Sequence, residues 1–222
     1  MGRLATTLGV LITMSIRPTL LRRYTELPSL LAFLRRQEIT LLPPSTWDDK
    51  NDRHLMDAYK RAKGLITLVA LCFSQCPETY HHWKVFAPGT SGVCIEFLKT
   101  ELLACLPITG LAHKSMDYKT ISELKSATLD VSDLPFTKRA AFSDEKEYRI
   151  VFSSRRQTLS TKRILVPVST IYRIAINPWV SEPLYDAIEK TILDIPGCDA
   201  MVVYQSKLIE SPAWKAFAGE YA

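Results

Sequence analysis

The 222-residue chain has no Walker loop, no Gly-x-Ser-x-Gly elbow and no Gly-x-Gly-x-x-Gly fingerprint. Each absence removes a common architecture. P-loop NTPases, α/β-hydrolases and Rossmann domains all present their phosphate or nucleophile on those glycine turns. No apolar run reaches the ~20 residues of a membrane-spanning helix, so no membrane association is expected. Internal repeats and low-complexity tracts are missing too, which excludes solenoids and long disordered linkers. The five cysteines (72, 76, 94, 105 and 198) are odd in number and lack the paired spacing of a metal knuckle. They read as small apolar residues in a reducing, cytoplasmic compartment, with no disulfide framework and no metal site.

What is present is a chain of 47% hydrophobic residues with 13 prolines, enough apolar content for one sizeable irregular core. Net charge is +5, compatible with a nucleotide or nucleic-acid partner without requiring one. Residues 4–14 are apolar behind Arg3 but lack a small-x-small cleavage site. Translation is expected to begin at Met14, leaving 1–13 as a non-native extension and 14–222 as a single domain. Oligomeric state is left open.

Patterning predicts strands at 20–24, 39–42, 65–74, 93–97, 112–118, 145–152, 163–168, 172–176 and 201–204. Helices are expected at 28–36, 54–63, 77–86, 99–106 and 181–193, with a last one opening at Ser211-Pro212. Asp52 reads as the cap of the second helix, and 122–133 as a mobile polar segment. The fold class is therefore α+β: one mixed domain with a central, largely antiparallel sheet and short flanking helices.

The stretch Phe142-Ser-Asp-Glu-Lys-Glu-Tyr-Arg-Ile-Val-Phe152 is the most informative. As a strand it projects Glu145, Glu147 and Arg149 from one side and Tyr148, Ile150 and Phe152 from the other. The acidic side faces either water or a site. Two carboxylates so placed can grip a ribose and stabilise positive charge at its anomeric carbon, or serve as a general base. Arg22 and Arg23, beside Tyr24, offer guanidinium forks for phosphate, or simply a positive strand end. The acid-rich loop from Trp47 to Asp52 fits turn and capping chemistry better than calcium binding, because Lys50 and Arg53 interrupt it. It could still wall a pocket. Tyr80, His82 and Trp83 are expected to pack on the sheet, one imidazole being hydrogen-bonded.

Taken in order, Leu21-Arg-Arg-Tyr24, Asn51-Asp52, Cys72-Phe-Ser74, His82-Trp83, Gly92-Val-Cys-Ile-Glu-Phe97 and Glu145-Lys-Glu-Tyr-Arg149 resemble the bacterial domain-of-unknown-function family 2971. That family is often met near phage-defence and mobile elements. The resemblance covers residues 20–152, with Arg53 and Arg22 departing from its usual proline and aromatic.

A weaker resemblance, to ADP-ribosyltransferases, rests on Arg22 or Arg23 of the first strand, the Pro28 helix, Ser45 after the second strand and Glu145-Lys-Glu147. It implies an NAD-using enzyme. Arg22 or Arg23 would hold NAD, Tyr24 or Trp47 would stack on nicotinamide, and Ser45 would take the family's second-strand hydroxyl position. Glu147 would stabilise the oxocarbenium-like transition state, and Glu145 would orient or deprotonate a nucleic-acid or protein acceptor. Arg149 joins the cofactor-binding residues. On this reading Glu147→Gln abolishes activity and leaves folding intact. The alternatives are a non-catalytic nucleic-acid module using Arg22, Arg23, Arg35, Arg36, Lys138, Arg139, Arg155 and Arg156, or a protein-interaction component.

Overall fold

The apolar run expected at the centre of the sheet is a strand buried along nearly its whole length, Thr67–Ser74, as its lack of alternation implies. A computed structural model of the chain describes residues 18–126 and 128–220. The expected start at Met14 and the extension 1–13 lie outside the described residues.

The strands in chain order are β1 (Leu20–Glu26), β2 (Glu38–Leu41), β3 (Thr67–Ser74) and β4 (Gly92–Leu98). There follow β5 (Leu111–Ser115), β6 (Asp117–Lys119), β7 (Thr137–Arg139) and β8 (Glu147–Ser154). The last three are β9 (Lys162–Leu165), β10 (Ile171–Ile176) and β11 (Val203–Gln205). The helices are α1 (Leu27–Arg36), α2 (Lys50–Ala62), α3 (Tyr80–Phe86) and α4 (Lys99–Ala104), then α5 (Ile121–Ser126), α6 (Glu182–Leu193) and α7 (Pro212–Gly219). Seven strands form one sheet in the order β11-β10-β4-β1-β3-β8-β5, antiparallel at every step except β10–β11. The expected α+β class, with its mostly antiparallel central sheet, is the observed one. Among the described residues no helix is long and apolar enough to cross a membrane.

The sheet is not continuous. β1 pairs with β4 from Leu20↔Leu98 to Glu26↔Gly92, but meets β3 only at Arg22↔Ser74. Further along β3, the vacated edge is taken by Leu42, which exchanges two backbone hydrogen bonds with Ala70 (2.9 and 2.8 Å). Between these contacts the Cys72 carbonyl accepts from Arg23 Nη1 at 3.1 Å. A side chain thus stands where a neighbouring strand would, and the sheet has a gap there.

Strand alternation then sorts the side chains. On one face Leu21, Leu71, Phe73, Ile95 and Ile150 pack with Leu30, Phe33 and Leu34 of α1 in the main core. On the other, two smaller cores stand apart. Met56, Leu68, Ala70, Met116 and Val151 form one beside α2; Tyr24, Trp83, Ala87, Cys94 and Ala175 form the other beside α3. Arg22, Glu147 and Arg149 fall between them.

Several boundaries differ from the sequence expectation, each for a local reason. α2 is capped by Asp49, whose carboxylate accepts from the N–H groups of Asn51 and Asp52; Asp52 itself is buried inside the first turn. α3 begins only at Tyr80 because Thr79 accepts from the His82 N–H. The strand expected at 112–118 breaks at Met116 into β5 and β6. The polar segment 122–133 carries part of α5 and the start of a 3-10 turn, Val131–Phe136, whose end is buried. Most important for the site, β8 starts at Glu147. Glu145 ends a 3-10 turn, Ala140–Glu145, and Lys146 follows at φ 44°, in the left-handed region.

Gly92 marks how tightly β4 is held against the end of α3. A Cβ at this position would stand 2.1 Å from the Ala87 carbonyl oxygen. Gly92→Ala is expected to destabilise the fold by about 1–3 kcal/mol, the range for forced overpacking, read as a lower midpoint in urea.

Candidate functional site

A cavity of about 390 Å³ opens where β1 and β3 part, between the two smaller cores. Arg22, Arg23 and Tyr24 reach it from β1, Trp47 from the loop before α2, and Glu145, Glu147 and Arg149 from the β8 region. Seven of the eight residues singled out in the sequence therefore share one cavity. Ser45 does not: it is exposed outside the cavity wall, and its carbonyl accepts from Arg53 Nη1.

Register brings the polar groups together. β8 pairs with β3 so that Glu147 lies opposite Ser74 and Arg149 opposite Cys72, on the face that holds the cavity. Both side chains are buried, so this face meets a cavity and not bulk water. Arg149 is wholly out of water. Its Nη1 and Nη2 donate to the two oxygens of Asp52 at 3.0 and 2.6 Å, and its Nε donates to Glu147 Oε1 at 2.7 Å. Nη1 also reaches the Pro135 carbonyl at 2.8 Å, and Trp47 covers the guanidinium at 4.6 Å. Lys138 of β7 closes the cluster, its ammonium donating to Glu145 Oε2 at 2.5 Å and Glu147 Oε2 at 3.0 Å.

This arrangement separates the two glutamates. Burial alone would raise the Glu147 carboxyl, but Arg149 and Lys138 outweigh it and hold the group down to about 2. For Glu145 burial wins over Lys138, and the neighbouring carboxylates push the same way, so its pKa is raised. One acid is fixed as the carboxylate and the other is nearer the range of a proton carrier.

The remaining walls are more committed than the sequence implies. Arg22 Nε pairs with the buried Glu96 at 3.1 Å, and its Nη1 donates to the Cys76 carbonyl at 2.8 Å. The Tyr24 ring stacks on His82 at 5.1 Å and meets Trp83 edge-on at 5.2 Å. That leaves half-exposed Trp47 as the more available aromatic face. His82 packs against the sheet as expected, its Nδ1 2.6 Å from Thr79 Oγ1 and its Nε2 3.4 Å from the Glu145 carbonyl. Burial lowers its pKa and keeps it neutral.

Two site residues were assigned other work by the sequence. Lys138 was grouped with a basic surface, and Asp52 was read as a helix cap. Neither residue has a periodic relation to Glu147; only the folding of β7 and α2 against β8 joins them. Lys138, with Arg139 beside it, gives no local signal of this pairing.

No family model matches the chain, so that comparison gives no support to the family 2971 resemblance, and no curated protein matches it either. Among solved structures the chain is similar to Thermus sp. 2.9 DarT in complex with carba-NAD+, at 14% identity and TM-score 0.45. That likeness covers 86% of this chain and 97% of the other. The same protein in complex with NAD+ gives 14% identity, the same coverage and TM-score 0.44. In complex with ADP-ribosylated ssDNA it gives 14% identity, 86% and 96% coverage and TM-score 0.46.

The geometry corrects the expectation that Glu147→Gln leaves folding intact. Removing the charge that bridges Arg149 and Lys138 is expected to cost about 3–5 kcal/mol, the range for breaking a buried ion pair. Glu145→Gln, which neutralises an acid already disfavoured as the anion, should cost less than about 1 kcal/mol. Urea denaturation of the two variants tests the contrast. The Glu147 share also has a pH signature. Its folded pKa lies below the ordinary value, so its stability is fully present above about pH 4.3 and is lost as pH falls towards about 2. The stability gap between wild type and Glu147→Gln should therefore be flat near neutrality and close on acidification.

Proposed function

We propose that the chain is an NAD-using, ADP-ribosyltransferase-like enzyme whose site is the cavity at the sheet gap. The observation that supports this most is Glu147: a carboxylate held ionised on the cavity wall, its position fixed through Arg149 by Asp52. A fixed anion is what a developing ribosyl cation requires, because it needs no reorganisation at the moment of reaction.

The chemistry follows from the residues. Trp47 would cover the nicotinamide ring of NAD+, and Arg23 would meet its phosphates. The bond from the nicotinamide nitrogen to the anomeric carbon breaks, and its electron pair leaves with neutral nicotinamide. The ribosyl carbon carries the resulting positive charge opposite Glu147. An acceptor oxygen or nitrogen, from a nucleic acid or a protein, forms the new bond at that carbon and gives its proton to Glu145. Lys138 spans both carboxylates and holds them together on one wall of the cavity. Arg149 has Asp52, Glu147 and the Pro135 carbonyl as partners, so on this reading it is a positioning residue. A role in bacterial defence, in keeping with the family 2971 resemblance, belongs to the same proposal.

The nucleic-acid module has less to draw on. Lys138 is buried between carboxylates, Arg22 is paired with Glu96, and Arg155 Nε donates to the Lys63 carbonyl.

Nicotinamide release from NAD+ tests the proposal, with circular dichroism used to choose a temperature at which every variant is folded. Wild type should release nicotinamide, and Glu147→Gln should lower the rate by about 10²-fold or more, as removal of one fixed electrostatic stabiliser does. Neither binding nor release by wild type would sink the reading. Glu145→Gln should separate the steps, keeping release to water and losing transfer to the acceptor. In wild type, transfer should rise with pH as Glu145 gives up its proton, through a pKa above the ordinary glutamate value. That rising limb should be absent from Glu145→Gln.

A further inference from the structure

The turn that delivers Glu145 ends in a conformation a lysine adopts only when its surroundings dictate it. Lys146 sits at φ 44°, in the left-handed region. Three consecutive residues at this point are met by three different parts of the chain. The Glu147 N–H donates to Tyr118 Oη of β6 at 2.8 Å. The Lys146 carbonyl accepts from the Gln75 N–H, just past β3, at 2.9 Å. The Glu145 carbonyl faces His82 Nε2 of α3 at 3.4 Å.

His82 is 1% exposed and stands on the cavity wall, and its two ring nitrogens do different things. The Thr79 hydroxyl oxygen accepts the His82 backbone N–H at 3.2 Å, which caps α3. Nδ1 lies 2.6 Å from the same oxygen. With Nδ1 as acceptor, the Thr79 O–H donates to it, and the ring proton stands on Nε2, towards the Glu145 carbonyl. The other tautomer would set a bare Nε2 lone pair against that carbonyl oxygen. Cys76 Sγ, 3.9 Å from Nε2, has the Asp144 carbonyl at 3.7 Å for its own proton. The partners therefore assign the proton of the neutral ring to Nε2. Tyr24, stacked on the imidazole, and Phe86, tilted against it at 5.9 Å, hold its plane.

We propose that His82 is a positioning residue for Glu145: its Nε2–H holds the Glu145 carbonyl and so fixes the direction in which that carboxyl leaves the turn towards Lys138. Without this donor the turn relaxes at Lys146, and Glu145 moves from beside Glu147 towards water. A neutral imidazole suits the place because it accepts at one nitrogen and donates at the other. The consequence for transfer to an acceptor rests on the NAD reading. The hold on Glu145 stands on the geometry alone.

The test compares His82→Gln with His82→Asn in the full chain. A glutamine amide nitrogen reaches about as far as Nε2 and an asparagine nitrogen about as far as Nδ1. The first variant therefore keeps a donor for the Glu145 carbonyl, and the second keeps only the Thr79 side. Both lose the ring under Tyr24, so the packing loss is common to the two. The readout is the Glu145 carboxyl itself, followed by 13C NMR titration of glutamate-labelled protein and identified with Glu145→Gln. Lys138 of β7, Glu147 of β8 and Asp52 of α2 are the charged groups that act on it. In wild type and in His82→Gln, Glu145 should titrate above the ordinary glutamate value, and in His82→Asn that elevation should be lost. Equal titration in the two variants overturns the inference. The 15N spectrum of the wild-type His82 ring is a second check that needs no variant: a proton on Nε2 is expected, and a proton on Nδ1 overturns it. If the titrations follow the variants while wild type leaves NAD+ unconsumed, the hold on Glu145 stands and the NAD reading falls. If NAD+ is consumed and the variants titrate alike, the NAD reading stands and the role of His82 falls.

Discussion

Arg149 carries the constraint on which the site depends. A guanidinium wholly out of water is tolerable only if its charge and its donors are met where they stand. Asp52 meets two donors from α2, Glu147 one from the same strand, and the Pro135 carbonyl one from the turn before β7. Two separate pieces of chain, α2 and the turn before β7, are thereby fixed to β8 by one side chain. Without the guanidinium, Asp52 and Glu147 would face each other as buried like charges. The arrangement of α2 over the sheet, the closure of β7 and the direction of Glu147 are consequences of one residue's need for partners.

The gap in the sheet is the second constraint, and the two reinforce each other. A seven-stranded sheet normally satisfies its inner strands by pairing along their length. Here β1 leaves β3 after one residue pair, and the exposed edge is met piecewise by Leu42 and by the Arg23 side chain. The gap gives a ligand access to the middle of the domain, where hydrophobic packing on both sides holds the surrounding side chains in place. Rigid surroundings and an open middle are what a preorganised site requires.

Much of this is legible in the sequence, and what is not has a physical reason. The unbroken apolar run of β3 announces a strand buried on both faces, and Glu147 with Arg149 announces a polar strand face without saying whether water or a cavity meets it. Arg22, Arg23, Tyr24 and Trp47 can be singled out as residue types with more chemistry than their elements need. Their convergence cannot be read, because it depends on the sheet opening beside β1, and no local pattern encodes which strand pairs stop early. Lys138 illustrates the limit: a lysine in a three-residue strand reads as solvated surface until the fold places two carboxylates beside it. Asp52 fails for the opposite reason. Its residue type fits a helix cap so well that local chemistry alone hides the ion pair, while Asp49 takes the cap.

Charge balance ties the cavity to the proposed reaction. With all five groups ionised, Asp52, Glu145 and Glu147 face only Arg149 and Lys138, so the cluster holds three negative charges against two positive ones. An apolar cluster of the same volume would be as stable or more so, and stability alone does not account for five buried charges. Either a proton on Glu145, whose pKa burial raises, or a cation from a ligand restores the balance; on the proposed reading that cation is the nicotinamide ring of NAD+ before reaction or the ribosyl carbon during it. On the proposed reading Glu147 is the residue on which orientation and chemistry meet: the cations that hold its carboxylate ionised also set where it points.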